Sequence, residues 1–324
     1  MQCINERPNE KTAARAEKTR GGAMTARSLA TLLLSGLFVL CWSSGFIGAV
    51  YGLEHTGTFT LLFWRYLLFA AVMAALCTAF RAWRKLPARE VCAHALIGVL
   101  AHAVWLVAVL FAQDSGVSPG IASFLTALQP MVTAVFAARV LAEKLSPAQW
   151  GGIALGLFSV GVVIADKATL GGALGAHLLP LVAVVAVSAA VVLDRRMHLR
   201  SPPPPVLLTT TIHAAASLLA LAPLAWLAED FAADFGAALV FSVAWLALVV
   251  SLGAYGLMFA LLRRMQATMV SSLVYLTPPV TMVLGYLIFG DAVTAADFAG
   301  LGLAAIAVVL VMRQPRTAQS ADRE

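Results

Sequence analysis

The chain has 324 residues, 61% of them apolar and 12% charged, with a net charge of +6. Soluble domains average about 45–50% apolar and about 25% charged residues, so this composition argues against a soluble enzyme and for a polytopic membrane protein. The positive residues sit in short connections between apolar runs, which argues against a nucleic-acid partner.

Residues 1–27 are polar and rich in Lys, Arg and Glu, and read as a disordered cytoplasmic tail. Met24 opens "MTARSL" and is a second candidate start. A spanning helix needs roughly 20 mostly apolar residues. Ten such runs follow: 29–49, 58–80, 91–112, 119–140, 148–165, 175–193, 206–227, 238–261, 267–289 and 296–312. Residues 314–324 form a second cytoplasmic tail.

Run 1 is broken by Trp42, Ser43 and Ser44, followed by Gly45 and Gly48. Trp42 with Ser44 can form a polar and aromatic cavity wall, or an ordinary packing face with small neighbours. Run 2 holds Arg65, the only Lys or Arg well inside a run. Arginine at a helix centre costs about 2.5–3.5 kcal/mol on insertion scales, so it is a functional candidate by default. It either pairs a substrate carboxylate or reaches outward to Glu54, Asp291 or Asp297. Run 3 holds His94 and His102, and run 7 holds His213. His102 is the best candidate for a proton relay. In a regular helix His94 and His102 lie roughly 80° apart, which places them on different faces.

Run 4 contains "SFLTALQPMVTA". Proline in a helix interior removes a hydrogen bond and frees the carbonyl four residues back, an arrangement tolerated in lipid only where something else satisfies it. The prediction is a kink at Pro130, with Thr126 and Gln129 facing a cavity. Run 9 repeats the pattern with Ser271, Tyr275, Thr277 and a kink at Pro278. The alternative is that the hydroxyls only bond their own backbone. Glu143 and Asp291, near the ends of runs 4 and 9, are candidate gate or helix-end residues. Gly152-x-x-x-Gly156 in run 5 and Gly300-x-x-x-Ala304 in run 10 let helices approach closely, for packing or for a homodimer. "SPPPP" at 201–205 is a stiff connector. Cys3, Cys41, Cys77 and Cys92 have no C-x-x-C spacing, and the sequence carries no readable metal or cofactor motif.

Orientation follows from the connections. Those after runs 2, 4, 6 and 8 hold eleven Lys and Arg residues, and the alternate connections hold only Lys167. Both termini are therefore expected in the cytoplasm. Shifting the chain by 148 residues lays Ser123, Leu125, Leu128, Pro130, Val132 and Thr133 over Ser271, Leu273, Leu276, Pro278, Val280 and Thr281. The register continues with Glu143 over Asp291, Ser146 over Thr294 and Gly152 over Gly300. Five spans is an odd displacement, so the halves, 28–166 and 167–313, run in opposite directions. Inverted repeats are typical of secondary transporters, with the substrate at the midplane where the halves meet.

"CWSSGFIGAV", "FWRYLLFA" and "SFLTALQPMVTAVFAARVLAEKLSPAQWGGIAL", with its echo in runs 9 and 10, resemble the EamA-type branch of the drug/metabolite transporter superfamily over roughly residues 30–312. The resemblance implies an all-α membrane protein of ten helices around a cavity that opens to one side at a time. It also implies export of small metabolites such as amino acids across a bacterial inner membrane. Asp291 departs from the usual Glu, and Pro278–Pro279 is a double proline. The rival readings are efflux of cationic drugs, which favours a buried acid that the midplane lacks, and a receptor or assembly protein without transport. No enzymatic or nucleotide-binding motif is present.

Overall fold

The computed structural model describes residues 10–169, 174–199 and 202–312. Ten helical elements follow one another: α1 (Glu10–Leu53), α2 (Thr58–Ala79), α3 (Ala88–Asp114), α4 (Pro119–Val140), α5 (Pro147–Thr169), α6 (Leu174–His198), α7 (Val206–Glu229), α8 (Ala237–Leu262), α9 (267–289) and α10 (Ala295–Met312). Nine of them are long and apolar enough to cross a membrane among the described residues. The remaining element, α9, is broken into Ala267–Leu273, a 3-10 turn at Val274–Leu276 and Thr277–Phe289. Together they make the all-α bundle of two inverted five-helix halves.

One expectation changes. The backbone is helical from Glu10, where a disordered tail was expected through residue 27. "EKTAARAEKTR" is dense in strong helix formers, and continuity with the spanning helix removes the cost of a new nucleus.

The 148-residue register governs the backbone as well as the side chains. Helices α2, α4 and α5 begin at Thr58, Pro119 and Pro147; α7, α9 and α10 begin at Val206, Ala267 and Ala295. The helix breaks obey it too. Helix α4 is interrupted at 127–128, just before Gln129 and Pro130, and α9 at 274–276, just before Thr277 and Pro278. Each proline supplies no N–H, so the preceding turn tightens, with Leu128 N–H reaching Leu125 at 3.3 Å. Matching capping boxes start α5 and α10. Gln149 N–H donates to Ser146 Oγ at 3.3 Å while Ser146 N–H donates to the Gln149 side chain at 2.9 Å. Asp297 N–H donates to Thr294 Oγ1 at 3.3 Å, and Thr294 N–H to the Asp297 carboxylate at 2.9 Å. Each box satisfies two otherwise orphaned donors.

Small residues set the close contacts, since in lipid helix association rests on packing. A Cβ at Gly152 would lie 2.7 Å from the Ala307 carbonyl, and one at Gly300 would collide with Val163. The small-residue pairs of α5 and α10 are thus used within the chain, packing these two helices on each other.

Connections of opposite charge segregate to opposite ends. At the basic end Arg195 meets Glu143 at 2.6 Å, joining α6 to the end of α4. At the acidic end Lys167 meets Asp297 at 2.8 Å, joining α5 to α10.

Candidate functional site

A cavity of about 640 Å³ lies between the halves, walled by α1, α2, α3, α6, α7 and α8, with Gln129 of α4 also lining it. It reaches the basic end, where Asp194, Arg195, His198, Pro203 and Pro204 form its rim, and Arg195 and Pro203 are solvent-exposed there.

The acidic end is held shut. The Glu229 carboxylate, at the end of α7, accepts from Phe59 N–H at 3.0 Å and Thr60 N–H at 2.7 Å, capping α2 from outside its own strand of sequence. A Cβ at Gly57 would collide with that carboxylate and push it off the α2 N-terminus. Thr56 Oγ1 donates to the Ala232 carbonyl at 2.7 Å. Asp234 N–H donates to the His55 carbonyl at 2.9 Å. Asp297 is buried and Lys167 partly so, and the Asp166 carboxylate accepts from Thr294 Oγ1 at 2.9 Å.

Two π-helical segments shape the interior. Val99–Val104 lies in α3 and Trp245–Gly253 in α8. The repeat register places the first inside the second. Single π turns are uncommon and cluster at functional sites. In α8 the Leu246 carbonyl, five residues back in the π segment, accepts from Ser251 Oγ at 3.0 Å. That bond uses the hydroxyl proton and leaves its lone pairs toward Arg65, whose Nη2 donates to Ser251 Oγ at 3.0 Å.

Arg65 is 6% exposed. Its guanidinium carbon lies 5.9 Å from the Tyr66 ring centroid, and its Nε has no hydrogen-bond partner. Among the described residues no carboxylate pairs with it, so the alternative of an outward pairing with Glu54, Asp291 or Asp297 is not made. An unpaired buried cation costs several kcal/mol. The guanidinium therefore lines the cavity with unused donors.

Of the other sequence-predicted residues, Trp42, His102 and Gln129 also line the cavity. Trp42 stands edge-on to Tyr255 at 6.0 Å. Ser44 instead donates to the Cys41 carbonyl at 2.8 Å and accepts from Trp245 Nε1 at 3.0 Å, tying α1 to α8. Thr126 Oγ1 reaches the Ala122 and Ser123 carbonyls at 3.0 and 2.9 Å, the self-bonding alternative. Tyr275 packs on the core, and the Thr277 carbonyl at the α9 break accepts from Ser43 Oγ at 3.4 Å. The Ser271 side chain lies outside the described residues. Glu143 pairs with Arg195 at the basic end. Asp291 follows the left-handed cap Gly290 at the acidic end, and burial raises its carboxyl above the ordinary value.

Sequence reasoning missed Ser251, Gln113, Tyr66 and the relation among the histidines. Gln113 Nε2 donates to the Phe46 carbonyl at 2.9 Å, leaving Oε1 without a partner on the cavity wall. His213 touches both His94 and His102, with ring centroids 5.7 and 5.8 Å apart. The expectation that His94 and His102 face apart assumed a regular helix. The π segment between them turns less per residue, which brings His102 back toward the face of His94. One signal was available: the repeat register carries Arg65 onto His213. Among the described residues no cluster has metal-binding geometry.

Two inverted halves around a cavity open at one end define a helical membrane protein of the transporter class. The family model described as EamA-like transporter family matches residues 29–165 and 174–313, and the chain belongs to that family. It is 27% identical over 281 residues to the Escherichia coli K12 protein named "Uncharacterized inner membrane transporter YedA", covering 86% of this chain and 90% of that one. It is also 27% identical over 280 residues to a Salmonella typhimurium protein named "Probable amino-acid metabolite efflux pump", covering 82% and 89%. A solved crystal structure at 21% identity shares the fold, with a TM-score of 0.58 over 88% of this chain and 99% of that one.

Proposed function

We propose that the protein is a secondary transporter that exports small zwitterionic metabolites, amino acids foremost, by alternating access, with its basic end in the cytoplasm. Arg65 is the observation that carries this reading. A planar guanidinium with free donors, buried on the wall of a cavity, suits a substrate carboxylate held through two parallel bonds. The Lys and Arg bias of the connections supports a cytoplasmic basic end. The captured arrangement is then the inward-open one, ready to load. Closing the rim and parting the acidic-end contacts would release substrate outside.

Efflux of cationic drugs has less support. Asp194 is the carboxylate on the described cavity wall, and it sits at the rim beside His198 rather than deep. The Salmonella relative's name agrees with an amino-acid cargo. Inside-out vesicles from overexpressing cells test the reading. They should take up a labelled amino acid from a mixture of the twenty, where vesicles lacking the protein do not. Equal label in both would refute it.

A further inference from the structure

Four imidazoles form a file along one cavity wall. His198 stands at the rim, 3.2 Å from the Asp194 carboxylate. Its ring centroid is 6.2 Å from that of His94, which is 5.7 Å from His213, which is 5.8 Å from His102. The inner end reaches the substrate chamber, since His102 lies 6.1 Å from Tyr66 and 6.4 Å from Tyr255, beside Arg65.

Two features show that the file is built. His94 is 1% exposed, yet neither ring nitrogen has a hydrogen-bond partner, and Nε2 of His213 and His198 also lack one. Buried polar atoms without partners call for a functional explanation. Gly98, midway between His94 and His102, has His213 Cα 2.5 Å from where its Cβ would be, so the notch that admits His213 needs a glycine. The groups facing the file are Glu90 on its own helix, Asp194 and Arg195 on α6, Arg65 and Tyr66 on α2, and Tyr255 on α8.

We propose, building on the amino-acid reading above, that His198, His94, His213 and His102 form a proton relay between the rim and the Arg65 chamber, so that each substrate leaves in exchange for protons. A bound zwitterion sets its carboxylate on Arg65 and its ammonium toward His102. Imidazolium at His102 repels that ammonium, so proton and substrate exclude each other. When substrate enters, His102 gives its proton to the free nitrogen of His213. His213 releases its other N–H proton to His94, His94 to His198, and His198 to Asp194 or rim water. Each ring ends neutral with its tautomer exchanged, and ring flips reset the file. The spacing leaves room for direct hydrogen bonds or one bridging water per step. Because each imidazole meets only the imidazoles next to it in the file, the arrangement suits hand-over rather than chelation. Intramembrane histidine chains have this physical role in pumps and transporters generally.

The test uses the full chain in liposomes, with a labelled mixture of the twenty amino acids as probe and the membrane potential clamped. Wild type should exchange label without a gradient, and an acid interior should drive accumulation of about tenfold per pH unit for one-for-one exchange. His94→Gln, on the rim side of the file, should keep exchange and lose the accumulation; His213→Gln should do the same. Retained exchange also shows that the variants are folded. Accumulation by both variants at the wild-type level would overturn the relay, as would wild-type exchange that no pH gradient accelerates. Absence of any wild-type exchange would instead overturn the amino-acid reading, and the relay with it.

Discussion

Arg65 and His213 hold equivalent positions in the two halves, each eight residues into a helix that starts in the same register. Both line the cavity. The backbones around them match in helix starts, breaks, π segments and capping boxes, while the side chains carry different chemistry. Matched backbones are what alternating access needs, because each half must adopt the other's conformation. Mismatched side chains are what the proposed division of labour needs, with Arg65 holding the substrate carboxylate and His213 passing a proton. The fold is therefore symmetric and the site is not.

The largest expected effect breaks that asymmetry. Arg65→Ala should lower transport roughly a hundredfold, the scale of losing a buried charge-assisted pair. Adding His213→Arg should fail to restore it, because Ser251, the hydroxyl that orients Arg65, sits on α8 beside α2. Recovery in the double variant, measured by vesicle uptake at equal protein, would mean the halves are interchangeable.

A second test addresses the closed acidic end. Lys167→Met leaves the buried Asp297 carboxylate without its cation and should cost about 3 kcal/mol, seen as a lower unfolding temperature in detergent. Adding Asp297→Leu should recover most of the loss.

Accessibility sharpens the contrast between hydroxyls on the cavity wall and hydroxyls away from it, since Thr209 and Thr126 both bond their own helices. With native cysteines replaced, Thr209→Cys on the cavity wall should react with a small thiol reagent added at the basic end. Thr126→Cys, on α4 just before its break, should react far more slowly. Equal rates would mean the α4 break faces the cavity.

The smallest effect concerns Asp291. Its carboxyl is raised in the folded protein by burial. Such a group contributes stability that is present below its unfolded value and lost as pH rises through the raised folded value. Asp291→Asn should therefore raise the unfolding temperature slightly at neutral pH and change nothing near pH 3. A uniform shift at both would point to packing instead.

The repeat was legible because proline, hydroxyl, acid and glycine recur at one offset, and these are the residues that breaks, caps and close contacts require. Arg65 was legible because charge in an apolar run has few innocent explanations. The histidine file was not, because face arguments assume a constant turn per residue and nothing local marks Val99–Val104 as π-helical. The partners of Ser44 and Thr126 were not legible for a related reason. A hydroxyl in a spanning helix signals a hydrogen bond, but its sequence neighbours do not say whether the partner is its own backbone, another helix or a substrate.

The central claim is that Arg65 reads a carboxylate inside the cavity. The most direct test is competition for a labelled amino acid bound to purified protein, comparing that amino acid with its own carboxamide. The account predicts that the amide competes roughly a hundredfold less well in wild type and that Arg65→Ala abolishes the difference. Equal competition by acid and amide in wild type would contradict it.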